Sequence, residues 1–178
     1  MVSIPWNLFF VLDVESIGLF GEGFAAGYAV VDRSKTLQGW GFYCCDPALA
    51  EGSDGGRFWV EECVPSLKIN VRFPRDVRRH VWEAWLKWKK RGAVMVADCP
   101  WPVEARFLLE AARENADIDS TDGLPYPLLD LSSMLAVDGK DPLGKFGRAE
   151  GELPEHNPLA DAKQTARLLL ELLERRSL

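Results

Sequence analysis

Apolar residues in this chain cluster with two different periods, and the change of period marks out its elements. Leu8-Phe9-Phe10-Val11-Leu12 is apolar on both faces and predicts a buried central strand over residues 7–13. Gly18, Gly21 and Gly23 then predict a turn over 16–23. Residues 24–31 and 37–45 read as two further strands, joined near Asp32-Arg33-Ser34-Lys35. Together the three strands form an antiparallel meander. Residues 46–57 are rich in Gly, Ser and acids and read as a solvated loop; residues 57–73 are ambiguous and could hold a short helix around 59–64, ended by Pro65.

Helical spacing takes over at Pro74, which suits a first helical position. Val77, Val81, Trp85 and Trp88 make one stripe, widened by Trp82 and Leu86. Lys87, Lys89, Lys90 and Arg91 crowd the last turn and Gly92 closes it. Residues 93–97 read as a short strand ending at Asp98. Pro102 opens a helix with Val103, Phe107 and Ala111 on one face. Residues 126–131 read as a strand. Pro158 opens a last helix through Leu159, Ala162, Ala166, Leu169 and Leu173. A meander followed by alternating helices and strands predicts an α/β fold: a mixed sheet, three antiparallel strands plus parallel ones, flanked by helices.

Composition adds limits. The 178 residues fit one domain, 1–178, with a sizeable core. No apolar run nears the ~20 residues that span a bilayer. The first ten residues lack the pattern of a signal peptide, so a cytoplasmic protein with no membrane association is expected. Cys44, Cys45, Cys63 and Cys99 contain no CxxC pair and predict reduced, mostly buried thiols. A net charge of −6 argues against bulk attraction to duplex phosphates. Nucleic-acid contact would need local cations or metal ions held by carboxylates. The tryptophan-rich helix carries more apolar bulk than one core need bury, which makes a homodimer plausible.

Candidate chemistry lies at the two ends of the chain. Asp13 and Glu15 follow the buried strand two residues apart, so both side chains point the same way. Two such acids repel, and a hard divalent cation between them relieves the repulsion. Near the other end His156 stands five residues before Asp161, with Pro158 fixing a helix start between them. Asp161 can then bind metal while His156 reaches an attacking water.

These residues resemble a family. Phe10-Val11-Leu12-Asp13-Val14-Glu15-Ser16 looks like the first motif of the DEDDh 3′→5′ exonucleases, and His156-Asn157-Pro158-Leu159-Ala160-Asp161-Ala162 like their third. Pro125-Tyr126-Pro127-Leu128-Leu129-Asp130-Leu131 resembles the strand that precedes the third motif. The second motif departs from the pattern. Aligning Phe107-Leu108 puts Glu104 at the family's aspartate position, whereas Asp98 stands at the strand end; Asp98 is the preferred ligand, and both can contribute. Phe58-Trp59-Val60 and Val64-Pro65-Ser66-Leu67 are similar to segments of small stand-alone exoribonucleases.

The resemblance implies a ribonuclease H-like fold and a two-metal hydrolysis of single-stranded RNA or DNA from the 3′ end, giving nucleoside 5′-monophosphates. Two Mg²⁺ or Mn²⁺ ions would be held by Asp13, Glu15, Asp161 and Asp98 or Glu104, and His156 would serve as general base. It further implies that Ser16, Ile17, Gly18 and Leu19 approach the terminal nucleotide. Trp101 can stack on a base, and Lys140, Lys145 and Arg148 can meet phosphates. The competing readings are a catalytically inactive exonuclease fold that binds nucleic acid and a ribonuclease H-like endonuclease.

Overall fold

The computed structural model describes residues 6–115 and 123–175. The expectation for the first ten residues falls partly outside them. Strands β1 (Leu8–Ser16), β2 (Gly23–Asp32) and β3 (Leu37–Cys44) form the expected meander. Helix α1 (Asp54–Cys63) and helix α2 (Pro74–Lys89) follow. Then come β4 (Val94–Ala97), α3 (Val103–Asn115), β5 (Leu128–Asp130), α4 (Leu131–Val137) and α5 (Pro158–Arg175). The sheet order is β3-β2-β1-β4-β5. β1 pairs antiparallel with β2 and parallel with β4, and β4 pairs parallel with β5. The fold is therefore α/β, a five-stranded mixed sheet flanked by helices.

The alternation of β1 distributes its side chains between two cores. Phe10, Leu12 and Val14 pack with Val77, Val81, Trp82 and Trp85 of α2 and Phe107 of α3. Phe9 and Val11 pack on the other face with Leu131 and Leu135 of α4 and Leu169 and Leu172 of α5. Continuing that second row, period two puts Asp13 and Glu15 on the α5 side. Phe10 stacks on Tyr28 at 4.5 Å between ring centroids, which ties β1 to β2 across the first core.

Two elements differ from expectation. α1 begins at Asp54, inside the stretch read as loop, because Ser53 caps it by accepting from the Gly56 amide at 3.1 Å. The short α4 follows β5 directly. Asp130 is its N-cap and accepts from the Ser133 amide. Trp82, Trp85 and Trp88 are all buried within this chain, so its own core takes up their bulk. Cys44 and Cys45 are buried, but Cys63 and Cys99 are exposed; all four are free. Among the described residues no helix is long and apolar enough to cross a membrane.

Gly27 brings α5 onto the sheet. It pairs with Asp13 in the β1–β2 register. A Cβ there would lie 2.2 Å from the Leu159 amide nitrogen and 2.3 Å from the Pro158 carbonyl carbon. Both obstacles are backbone, so no rotamer change can make room. Gly27→Ala should push the first turn of α5 off the sheet at a cost of about 1–3 kcal/mol. Chemical denaturation checks this; unchanged stability would mean that the helix start moves freely.

A candidate acidic metal centre

Four stretches of chain meet at the end of β1. Asp13 and Glu15 come from the strand itself, Asp98 from the residue after β4, Glu104 from the first turn of α3, and His156 with Asp161 from the start of α5. All six line one cleft of about 560 Å³. The sequence predicted each as a site residue, and the fold brings them all together.

Local structure explains each placement. A register shift between Glu15 and Ser16 ends the regular β1–β2 pairing beside the acids. Asn157 starts α5 by accepting from the Leu159 and Ala160 amides at 3.1 and 3.3 Å. That cap sets Asp161 in the first turn, while His156, one residue before the cap, has a positive φ of 59°. A non-glycine residue in that region is strained, and such strain concentrates at functional sites. The His156 Nδ1 lies 3.7 Å from Glu15 Oε1. Trp59 of α1 meets the imidazole edge-on, with ring centroids 5.1 Å apart and planes at 80°.

Glu104 and Asp98 both reach the cleft but differ in setting. Glu104 is buried, and its Oε1 accepts from the Val14 amide at 3.2 Å, which locks it beside Asp13. Asp98 is exposed at the rim, and its carbonyl accepts from the Ser132 amide at 2.8 Å. Ser16, Gly18, Leu19 and Trp101 line the cleft, and Trp101 is 74% exposed. Ile17 does not line it. Its side chain is buried in the first core, where Gly52 and Gly56 close on it, so it can offer only backbone to a ligand. Of the three loop cations, Arg148 lines the cleft and Lys140 and Lys145 do not. Trp59, Gln164 and Thr165 also line it and were not singled out from sequence. Gln164 and Thr165 lie three and four residues beyond Asp161, which is one turn along the same helix face, so that spacing was a usable signal.

Burial and mutual repulsion make the charged forms of these acids costly, a cost that a proton or a bound cation relieves. Burial holds the Asp13 carboxyl well above the usual carboxylate range, and the charges of Glu104, Glu15, Asp161 and Asp98 add to it. Burial also raises Glu15, partly offset by His156, and raises Asp161, partly offset by Arg148. Asp98 keeps an exposed edge at the rim, yet desolvation by the surrounding cleft raises its carboxyl, and the charges of Asp130 and Asp161 add to it. Glu104 is pushed up to about 7, chiefly by burial. Interaction with Glu15 raises the His156 imidazole above its ordinary value. Ligand atoms of Glu15, His156 and Asp161 lie within 4.8 Å of one another, so this group could hold a metal ion. Carboxylate oxygens plus one imidazole suit a hard or borderline divalent cation.

A pH dependence follows. Between its ordinary 4.5 and about 7 the folded protein keeps a proton on Glu104 that the unfolded chain has lost. Stability should therefore fall as pH rises across that window, by roughly 3 kcal/mol from Glu104 alone, and level off above it. Adding Mn²⁺ at pH 8 should restore it. Glu104→Gln keeps an acceptor for Val14 and should make the fall shallower by removing the Glu104 share. Melting at pH 5 and pH 8, with and without Mn²⁺, checks this; a cation-free protein more stable at pH 8 would contradict it.

No protein-family model matches this chain, and no curated protein matches it.

Proposed function

We propose that this chain is a metal-dependent 3′→5′ exonuclease of the DEDDh class, on a ribonuclease H-like fold, acting on single-stranded RNA or DNA. The observation that carries the reading is the convergence of Asp13, Glu15, Glu104 and Asp161, with His156 beside Glu15, on one open cleft. The strand order, with three antiparallel strands and then two parallel ones, agrees with that fold. The chain's negative charge also agrees, because a polyanion is then drawn to held cations rather than to the protein surface.

In this reading Asp13, Glu15 and Asp161, together with Glu104 or Asp98, would hold two Mg²⁺ or Mn²⁺ ions. Glu104 becomes the stronger second-motif candidate, since its carboxylate is fixed beside Asp13. Bound there, the ions would supply Lewis-acid polarisation of the phosphoryl oxygens. His156 accepts the proton of the attacking water, with Trp59 fixing the plane of its ring. The bond between phosphorus and the 3′-oxygen of the preceding nucleotide breaks. That oxygen takes a proton from solvent, and a nucleoside 5′-monophosphate leaves. Leu19 and Trp101 offer apolar faces at the cleft for the terminal base.

The p-nitrophenyl ester of a nucleoside 5′-monophosphate tests the chemistry without a polymer. Release of nitrophenolate that needs Mn²⁺ and stops with EDTA is expected. A protein that binds Mn²⁺ yet leaves both this ester and oligonucleotides intact would be a binding module.

A further inference from the structure

We propose that Arg148 is an exchangeable counter-ion of the site: its guanidinium holds Asp161 until a divalent cation takes that carboxylate, and then turns to a phosphate of the substrate. The inference rests on the exonuclease reading above and goes beyond it by giving the cleft a cation of its own.

Among the described residues lining the cleft, Arg148 is the one lysine or arginine. Its Nη1 donates to Asp161 Oδ1 and also to the Glu152 carbonyl at 2.7 Å. Its Nε lies 3.5 Å from Glu155 Oε1. The guanidinium therefore occupies one oxygen of a carboxylate that the metal reading needs. A guanidinium and a divalent ion at one carboxylate repel each other, so loading the cation weakens the arginine's hold.

The neighbourhood leaves Arg148 able to change partner. The loop that carries it is braced by other contacts. Arg167 forks onto both oxygens of the buried Glu152 at 2.8 and 3.0 Å and donates to the Gly147 carbonyl at 2.7 Å. Glu152 in turn accepts from the Ala149 amide at 2.8 Å, and Gln164 donates to the Phe146 carbonyl at 3.2 Å. The Arg148 head group can leave Asp161 while this brace keeps its backbone beside the cleft. A planar guanidinium fork is also the donor geometry that a phosphodiester accepts best.

Removing the guanidinium should then have opposite effects on two ligands. Mn²⁺ binding without nucleic acid is read from the free-ion paramagnetic resonance signal. Binding of a single-stranded oligonucleotide is read in Ca²⁺, so that no turnover intervenes. R148Q is expected to bind Mn²⁺ about five- to tenfold more tightly than wild type and the oligonucleotide about tenfold more weakly. R148K keeps the charge but loses the fork, and should show a smaller change of the same sign for each ligand. A residue that merely braces the loop would weaken both when replaced. Unchanged or weaker Mn²⁺ binding in both variants would therefore overturn the proposal while leaving the exonuclease reading intact. Wild-type protein that binds no Mn²⁺ at all would overturn both.

Discussion

Asp13→Asn is expected to lower hydrolysis by roughly 10³-fold or more while raising the stability of the cation-free protein at pH 8. The two effects share one cause. Asp13 stands among the acids; burial holds its carboxyl well above the usual carboxylate range, and Glu104, Glu15, Asp161 and Asp98 add to that. Without a cation its ionised form adds repulsion to a group already short of water. The amide is close in size and carries no charge, so the variant should melt higher at pH 8 and lose most of that gain at pH 5. With Mn²⁺ the order should reverse, because only wild type has the full set of oxygens to bind the ion. Melting curves under the four conditions, alongside turnover, measure both effects. Full activity in Asp13→Asn would remove the acid cluster from the chemistry. A variant less stable than wild type at pH 8 without metal would show the acids to be structural partners rather than a strained set.

His156→Ala is expected to cut turnover by about 10²–10⁴ while leaving Mn²⁺ affinity within a few-fold of wild type. The imidazole lies 3.7 Å from Glu15 and within ligand reach of Asp161, so geometry alone allows it two roles. Loss of turnover with metal binding kept assigns it the water's proton. Loss of both would make it a ligand. The pH–rate profile gives an independent reading. Wild-type turnover should rise with pH as the imidazole loses its proton, and the variant should lose that limb. Trp59→Ala, which frees the ring without removing it, should have a smaller effect of the same kind.

Much of this site was legible along the chain because period and punctuation carry it. The two-residue spacing of Asp13 and Glu15 behind an apolar run marks their common face, although the apolar pattern predicts a strand ending at Asp13 and β1 runs on to Ser16. Pro158 between His156 and Asp161 fixed where the last helix starts. What was hidden depends on contacts made across long stretches of sequence. Nothing local says that Glu104 accepts from the Val14 amide ninety residues away, or that Trp59 meets His156. Gly27 read as one small residue within a strand; only the docked α5 shows why a side chain cannot stand there. Helix α4 has no loop to announce it in the sequence, because its cap, Asp130, is also the last residue of β5. The resemblance places the whole Ser16–Leu19 loop near a ligand but says nothing of which side chains face it; packing by Gly52 and Gly56 sends that of Ile17 into the core.

Digestion of 5′-labelled single-stranded RNA and DNA, with Mn²⁺, Mg²⁺ or EDTA, tests the central claim most directly. The account predicts a ladder that shortens from the 3′ end one nucleotide at a time, needs the divalent ion, releases nucleoside 5′-monophosphates and vanishes in Asp13→Asn. Internal cuts would point to an endonuclease, and intact polymers with either ion would contradict the account.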